Sequence, residues 1–453
     1  MSDGAKLTRG SIRGHLVSQT LPMIIGVAAI MSIGLIDAYF IGQLGSAQLA
    51  AIAFIFPVSV AVASLGVGIM VGINSVVARA LGGGKADRAN QLASLGIAFA
   101  LALGCVLGLA LYVLLGPLFR LMQADAELMP LILEYMQPYA FGIPLLLLQM
   151  GLNGVLRGQG EARKTSYVSI SYAAANWVLD PLLITGAFGF EGFGIAGAAY
   201  ATLAGWAIAI LLARWLIRKT PIEVSRRHLR QEHYLDPLKA IARVATPAAF
   251  SNAINPIGLA VLTSLVAIEG QAAVAGFGAA GRLQSFAVVP LLGLSGSIGA
   301  IVGQNWGAGQ AERARRAFYY AGAFSLVYGL LIAGLLVFAS DWFAGFFSDD
   351  PPVIEQFNRY LAIAAWGYAG YGLLIIGNGA LNAIDRSGIA LAQSVARVFL
   401  VMLPFAWILR GQWGADAVYA AELAANVIGG AVAAFLVWHF LHRDAADAGE
   451  SGK

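Results

Sequence analysis

The nine residues LGGGKADRA at 81–89 return as WGAGQAERA at 306–314, which is 225 positions later. The same offset relates further landmarks, namely Leu21-Pro22 with Thr246-Pro247, Gly45 with Gly270, and Asn153 with Asn378. A single offset that holds over most of a chain indicates an internal duplication. We therefore predict two copies of one structural unit.

The composition predicts that both copies lie in a membrane. Of the 453 residues, 59% are apolar and only 11% are charged, and the mean hydropathy is +0.76. A soluble domain needs roughly 25% charged residues to cover its surface, so much of this surface must face lipid. The net charge of +4 does not predict nucleic-acid binding, because the basic residues lie between hydrophobic runs. The single cysteine, Cys105, excludes an intramolecular disulfide and a multi-cysteine metal site.

Glycine, proline and charge clusters divide the chain into twelve apolar runs, each long enough for a spanning helix of about 20 residues. The predicted spans are 16–41, 47–77, 90–116, 127–150, 165–187, 193–216, 239–267, 272–302, 313–340, 354–378, 388–410 and 415–441. The predicted fold is an all-α integral membrane protein of twelve transmembrane helices in two six-helix repeats. Because six helices separate the copies, both run in the same direction through the membrane.

The loops predict the orientation, since cytoplasmic loops carry the excess of Lys and Arg. With the N-terminus inside, the cytoplasmic loops hold many basic residues, among them Arg79, Lys85, Arg88, Arg157, Arg163, Lys164, Arg218, Lys219, Arg226, Arg227, Arg230 and Arg386. The opposite loops hold only Arg120, Arg359 and Arg410. Both termini are therefore predicted to be cytoplasmic.

The same pattern divides the chain into five segments. We predict a cytoplasmic N-terminal segment (1–15), an N-lobe of helices 1–6 (16–216), a basic cytoplasmic linker (217–238), a C-lobe of helices 7–12 (239–441) and a disordered cytoplasmic tail (442–453).

Few ionisable or strongly polar side chains lie within the spans, so each one is a candidate functional residue. Asp37, Asp180 and Thr202 fall in the outer half of the N-lobe, and Asn176 lies one helical turn before Asp180 on the same face. Their oxygen atoms suit a small hard cation such as Na⁺, and a buried carboxylic acid can also carry a proton near neutral pH. The alternative is a structural hydrogen-bond network.

The repeat limits this acidic site to one copy. At the offset of 225, the partners of the four residues are apolar, namely Leu262, Val401, Phe405 and Val427. We therefore expect ion coupling in the N-lobe only.

Other polar positions allow two interpretations each. Arg282, Arg397 and Glu422 would lie inside the C-lobe, where opposite buried charges usually pair, so we predict a structural ion cluster, with substrate contact as the alternative. Asn153 and Tyr139 of the fourth span either line a cavity or pack helices. Pro22 is predicted to kink the first span, because proline removes a backbone hydrogen bond.

Several segments together resemble the multidrug and toxic compound extrusion family, particularly its prokaryotic DNA-damage-inducible (DinF-like) branch. These segments are Pro22 with LIDAYFIGQLG at 35–45, NGVLRGQGEARK at 153–164, NWVLDPLLI at 176–184 and GRLQSFAVVPLLGLSGSIGAIVGQNWGAGQAERA at 281–314. The resemblance covers about residues 10–443. It implies two six-helix lobes around a central cleft that opens to one side at a time.

The resemblance also implies export of organic cations and toxic compounds against inward H⁺ or Na⁺, without a cofactor. It carries the cation site onto Asp37, Asn176, Asp180 and Thr202, a substrate-lining role onto Asn153 and the kink onto Pro22. One departure is Gln284, where many relatives have Glu. We expect a monomer in the bacterial inner membrane, in contact with lipid, that exports lipophilic organic cations.

Two rival functions make different demands on the sequence. A flippase for lipid-linked saccharides, which the related superfamily also contains, usually lines its cleft with several basic residues, whereas here Arg282 and Arg397 are only two. A membrane-embedded enzyme would need a nucleophile with its base or a metal triad, and the sequence provides no such set within the spans. We therefore predict a transporter and not an enzyme.

Overall fold

The computed structural model describes residues 4–186, 189–230 and 234–450. Helices account for almost all regular structure in these ranges, as expected where lipid cannot satisfy backbone N–H and C=O groups. The first repeat contains α1 (Ile12–Leu44), α2 (Ser46–Gly82), α3 (Ala86–Leu121), α4 (Met129–Gly158), α5 (Ala162–Asp180) and α6 (Ile195–Ile217). The second contains α7 (Leu235–Ala267), α8 (Gln271–Ala287), α9 (Val289–Gly307), α10 (Ala311–Phe338), α11 (Ser340–Ala344), α12 (Pro351–Ala364), α13 (Tyr368–Ala383), α14 (Ser387–Ala396), α15 (Leu403–Trp413) and α16 (Ala415–Glu450).

The predicted spans correspond to these helices. In the described part of the chain, ten helical segments are long and apolar enough to cross a membrane, where α12 with α13 and α14 with α15 each count as one segment. The number is eleven if the bent pair α8 and α9 counts as a single span. The remaining predicted span is α5, which is rich in Ser, Tyr and Asn and continues into a π-helical turn at Pro181–Thr185.

The bent pair is α8 and α9, which the sequence analysis predicted as one continuous span at 272–302. The two helices meet at an angle of 45°. Pro290 lies in the first turn of α9. Proline has no N–H to continue the hydrogen-bond ladder of the preceding helix, so a new helix begins there.

The eleventh span is interrupted in a different way. Between α14 and α15 the chain forms a second π-helical turn, Arg397–Met402. Among the described residues, each repeat has one π-helical turn, in its fifth span, although the two turns lie at different positions under the 225-residue offset. Such turns are frequent at functional sites.

The chain forms two compact units. We call residues 4–6 with Leu21–Ala249 the N-terminal unit, and Leu7–Thr20 with residues 250–450 the C-terminal unit. The boundaries between the two units lie inside α1 and inside α7, whereas the sequence predicted the boundary between the lobes in the linker 217–238. The change in α1 falls next to Pro22, and the helix continues through that proline.

The helices that border the predicted linker and tail extend further than the sequence predicted. Helix α7 already begins at Leu235, and the linker is tied to α3 by Glu223 N–H, which donates to Asn90 at 3.0 Å, and by Ser225 N–H, which donates to Ser94 at 3.2 Å. Helix α16 continues to Glu450, where a disordered tail was predicted from residue 442. The alanines of that segment are strong helix formers. Residues 451–453 of the predicted tail lie outside the described residues.

Candidate functional site

Helix α5 presents a polar stripe to the interior of the N-terminal unit. Tyr172, Asn176 and Asp180 recur every four residues, so they lie on one face of the helix. Asn176 and Asp180 are fully buried. The Asn176 side chain donates to the Tyr172 carbonyl at 2.8 Å, which fixes the amide with its oxygen pointing away from that carbonyl.

Asp180 is the last residue of α5, and the π-helical turn follows it directly. Pro181 has no N–H, so the carbonyl one turn earlier loses its usual helical donor. The Thr185 hydroxyl donates to the Pro181 carbonyl at 2.8 Å and helps to hold the turn. The break in the helix therefore lies next to the buried carboxylate.

Helix α6 supplies a hydroxyl and a close approach to α5. Thr202 donates from its hydroxyl to the Asn176 side-chain oxygen at 3.4 Å. A Cβ atom at Gly205 would lie only 2.6 Å from Asn176 Nδ2 and 2.7 Å from the Tyr172 ring. The absence of a side chain at this glycine is therefore what allows α6 to pack beside the polar stripe.

The carboxyl group of Asp37, on α1, lies beside that of Asp180. Among the described residues, no donor reaches Oδ1 of Asp37 or either carboxyl oxygen of Asp180. Two neighbouring carboxyl groups without donors favour a shared proton or a bound cation. The structure thus brings together the four residues that the sequence predicted as a cation site.

Aromatic rings surround this site, and sequence reasoning identified only one of them. The Tyr139 ring lies 5.7 Å from the Trp206 ring and 5.9 Å from the Tyr135 ring, and Tyr172 lies 6.4 Å from Trp206. The spacing in the sequence could have identified the other rings. Tyr135 precedes Tyr139 by four residues and Trp206 follows Thr202 by four, so each ring lies on the same helix face as a predicted site residue.

Asn153 lies apart from this group. It is buried, and its side-chain oxygen has no donor among the described residues. It follows Tyr139 by fourteen residues on α4, which places it about 21 Å further along the helix. The structure therefore does not join Asn153 to the aspartate pair.

In the C-terminal unit, the three residues of the predicted ion cluster, Arg282, Arg397 and Glu422, form no direct ion pair with one another among the described residues. Arg397 donates to Asn255 Oδ1 at 2.6 Å, Arg282 is exposed, and within the described residues neither arginine pairs with Glu422. The reason is that neutral side chains occupy the Glu422 carboxyl group: Gln284 donates to it at 2.8 Å, and Tyr360 lies 2.9 Å from it.

Comparison with known proteins decides the family. The MatE family model matches this chain twice, over residues 22–182 and 247–408. The chain belongs to the MatE family. The two matches begin at Pro22 and Pro247, which are 225 positions apart, so the duplication inferred from the sequence is confirmed.

MatE relatives align over nearly the whole chain. An "FAD transporter" of Shewanella oneidensis is 35% identical over 411 residues, which are 90% of each protein. A "probable multidrug resistance protein" of Bacillus subtilis is 24% identical and aligns over 81% of this chain and 80% of its own length. A solved multidrug resistance MATE transporter in an outward-facing conformation, 25% identical, superposes with a TM-score of 0.92 over 98% of this chain and 99% of that one.

Membership in the MatE family confirms the predicted class. The protein is a multi-pass membrane transporter for small molecules and not an enzyme, and its all-helical fold of two repeats is that of its MatE structural neighbours.

Proposed function

We propose that this protein is a secondary active exporter that moves small organic molecules out of the cell against an inward flow of H⁺ or Na⁺. The pair of carboxyl groups of Asp37 and Asp180 carries the proposal, because three of their oxygen atoms are buried without a donor among the described residues. Such a pair is costly inside a membrane unless it binds something positive.

The donor set supports a monovalent coupling ion. Asn176 Oδ1 and the Thr202 hydroxyl add neutral oxygen atoms next to the carboxyl groups. Hard oxygen donors suit Na⁺ by the logic that governs other hard cations, and a proton shared by the two acids needs no further ligand. Both ions therefore fit the same site.

Coupling would follow from competition between ion and substrate. Entry of the ion from outside removes negative charge from the pair, rearranges α1 about Pro22 and releases substrate outward. Loss of the ion to the cytoplasm resets the site. One pH unit supplies about 1.4 kcal/mol per proton, and 100 mV supplies about 2.3 kcal/mol per charge. These energies drive roughly tenfold to several-hundredfold accumulation.

Lipophilic organic cations are the substrates that the family resemblance implies, and the relatives named as multidrug resistance proteins support the export of drugs. A second candidate is a flavin nucleotide, because the Shewanella relative named as an FAD transporter is 35% identical over 90% of this chain. The location that we propose is the bacterial inner membrane, with both termini cytoplasmic and the protein a monomer.

The test is efflux of a fluorescent cation from vesicles with imposed pH or Na⁺ gradients. We expect Asp37→Asn and Asp180→Asn to abolish gradient-driven efflux, while Asp349→Asn, which removes an exposed carboxylate, leaves it unchanged. Gradient-driven efflux that persists in both buried-site variants would exclude the coupling role.

A further inference from the structure

One buried positive charge in the C-terminal unit forms no direct ion pair with any described residue. Arg397 opens the π-helical turn Arg397–Met402, and only 7% of its surface is exposed. Its Nη1 donates to Asn255 Oδ1, whereas Nε is buried without an acceptor. Among the described residues, none accepts a hydrogen bond from Nη2 either.

The neighbours of Arg397 hold the guanidinium in place without neutralising it. The group lies over the ring of Tyr371, 5.5 Å from its centre. A Cβ atom at Gly429 would lie 3.0 Å from Arg397 Cδ, so this glycine on α16 leaves the room that the side chain occupies. Asn255 and Tyr371 are both neutral. Three contacts therefore orient a cation that stays unpaired.

Glu422 does not act as the missing partner. Its carboxyl group is bonded to Gln284 and Tyr360. On α16 it precedes Gly429 by seven residues, which is about 10 Å along the helix. Glu422 therefore acts on the guanidinium only through space and forms no direct ion pair with it.

The free edge of the guanidinium defines what it can bind. Because Nη1 donates to Asn255, the remaining donors of the guanidinium are Nε and Nη2. Their N–H groups lie on the same edge and can donate to two oxygen atoms of a phosphate or carboxylate. A cation buried in a membrane protein without a counter-charge is costly. An anionic group of a ligand would remove that cost.

We propose that Arg397, oriented by Asn255 and Tyr371, binds a phosphate group of the transported small molecule. The inference rests on the proposed exporter function and adds a substrate class to it, organic phosphates besides organic cations. Flavin nucleotides carry one phosphate in FMN and a pyrophosphate in FAD, and riboflavin has the same ring system with none.

Equilibrium binding of these three flavins to the full-length protein in nanodiscs tests the site. The wild type should bind FAD and FMN more tightly than riboflavin. Arg397→Gln should weaken FAD binding about tenfold to a hundredfold and leave riboflavin unchanged. Arg316→Gln, which removes an exposed arginine paired with Glu312, is the matched control and should change neither.

Three results would overturn the assignment: equal binding of FAD and riboflavin by the wild type, equal weakening of both in Arg397→Gln, or no weakening at all. Arg397→Lys keeps the charge and removes the two-donor edge, so it serves if the glutamine variant does not fold. We expect it to bind FAD about tenfold more weakly, and unchanged FAD affinity would contradict the proposal.

Competition separates a soluble phosphate from a lipid-linked one. Inorganic pyrophosphate should displace FAD, and displacement by a polyprenyl diphosphate at lower concentration than FAD itself would overturn a soluble substrate.

Binding is measured without a gradient, so it is independent of ion coupling. Selective loss of FAD binding in Arg397→Gln, together with unimpaired gradient-driven efflux in Asp37→Asn, would refute coupling alone.

Discussion

The two units contain equivalent helices, but their fifth spans carry buried charges of opposite sign. In the N-terminal unit the fifth span ends at Asp180 before its π-helical turn, and in the C-terminal unit the π-helical turn of that span begins with Arg397. The 225-residue offset relates Asp180 to Phe405 and Arg397 to Tyr172. Duplication therefore supplied two similar scaffolds, and the charges that carry specific chemistry arose at different positions in each.

Substitution of one buried acid in each unit should give the largest difference between them. Asp180→Asn should reduce H⁺- or Na⁺-driven export at least a hundredfold, because the variant loses the charge that binds the ion. Glu422→Gln should keep export within about twofold, since an amide can still bond to Gln284 and Tyr360. Efflux from energised vesicles measures both. A comparable loss in Glu422→Gln would mean that both units couple ions.

Glycines at equivalent positions give the next largest effect. Gly205 and Gly430 are 225 residues apart; an added Cβ would meet Asn176 Nδ2 at 2.6 Å in the first case and the Gly370 carbonyl oxygen at 2.4 Å in the second. Each alanine variant should lose about 1–3 kcal/mol of stability through overpacking. Only Gly205→Ala should also weaken ion coupling.

Thermal unfolding and ion-driven efflux distinguish the two glycine variants. Gly116→Ala, where an added Cβ meets nothing within 4 Å, is the control for the same change in a helix without overpacking. Impaired coupling in Gly430→Ala at unchanged stability would contradict the restriction of the ion site to the N-terminal unit.

A smaller effect should identify the ion. Thr202→Val keeps the shape of the side chain and removes one oxygen donor, which is worth about 0.5–1.5 kcal/mol. If Na⁺ is the coupling ion, half-maximal efflux should need up to about tenfold more Na⁺. If H⁺ is the ion, efflux at a fixed pH gradient should change less than about twofold. An inactive but folded variant would contradict both expectations.

Exposed ion pairs should matter least, and equally in both units. Lys6 pairs with Glu161 at 2.8 Å in the N-terminal unit, and Arg359 pairs with Asp416 at 2.6 Å in the C-terminal unit. Solvated pairs contribute about 0–1 kcal/mol, so Lys6→Gln and Arg359→Gln should barely lower the unfolding temperature. A loss clearly above 1 kcal/mol in either would show that the pair is part of a larger network.

Features that depend on local pattern were predictable from the sequence. Apolar runs locate the spans, and the spacing of Asn176 and Asp180 places both on one helix face. The bend before Pro290 was missed because hydropathy continues across it.

Partners across helices were not predictable. Periodicity assigns Arg397 to a face of its helix, but it does not give the rotation of α7 that presents Asn255, nor the bonds from Gln284 and Tyr360 that occupy Glu422. Charge alone therefore predicted an ion cluster, whereas the charged groups form hydrogen bonds with neutral side chains.

The change of unit inside α1 has a consequence for biosynthesis. The stretch Leu7–Thr20 belongs to the C-terminal unit. There Leu7 N–H donates a hydrogen bond to Gln304, 297 positions later, and the Thr20 hydroxyl bonds to that of Ser297, 277 positions later. Translation proceeds at about 5–20 residues per second. The first residues of the chain must therefore wait roughly 15–60 s on the ribosome before their partners exist.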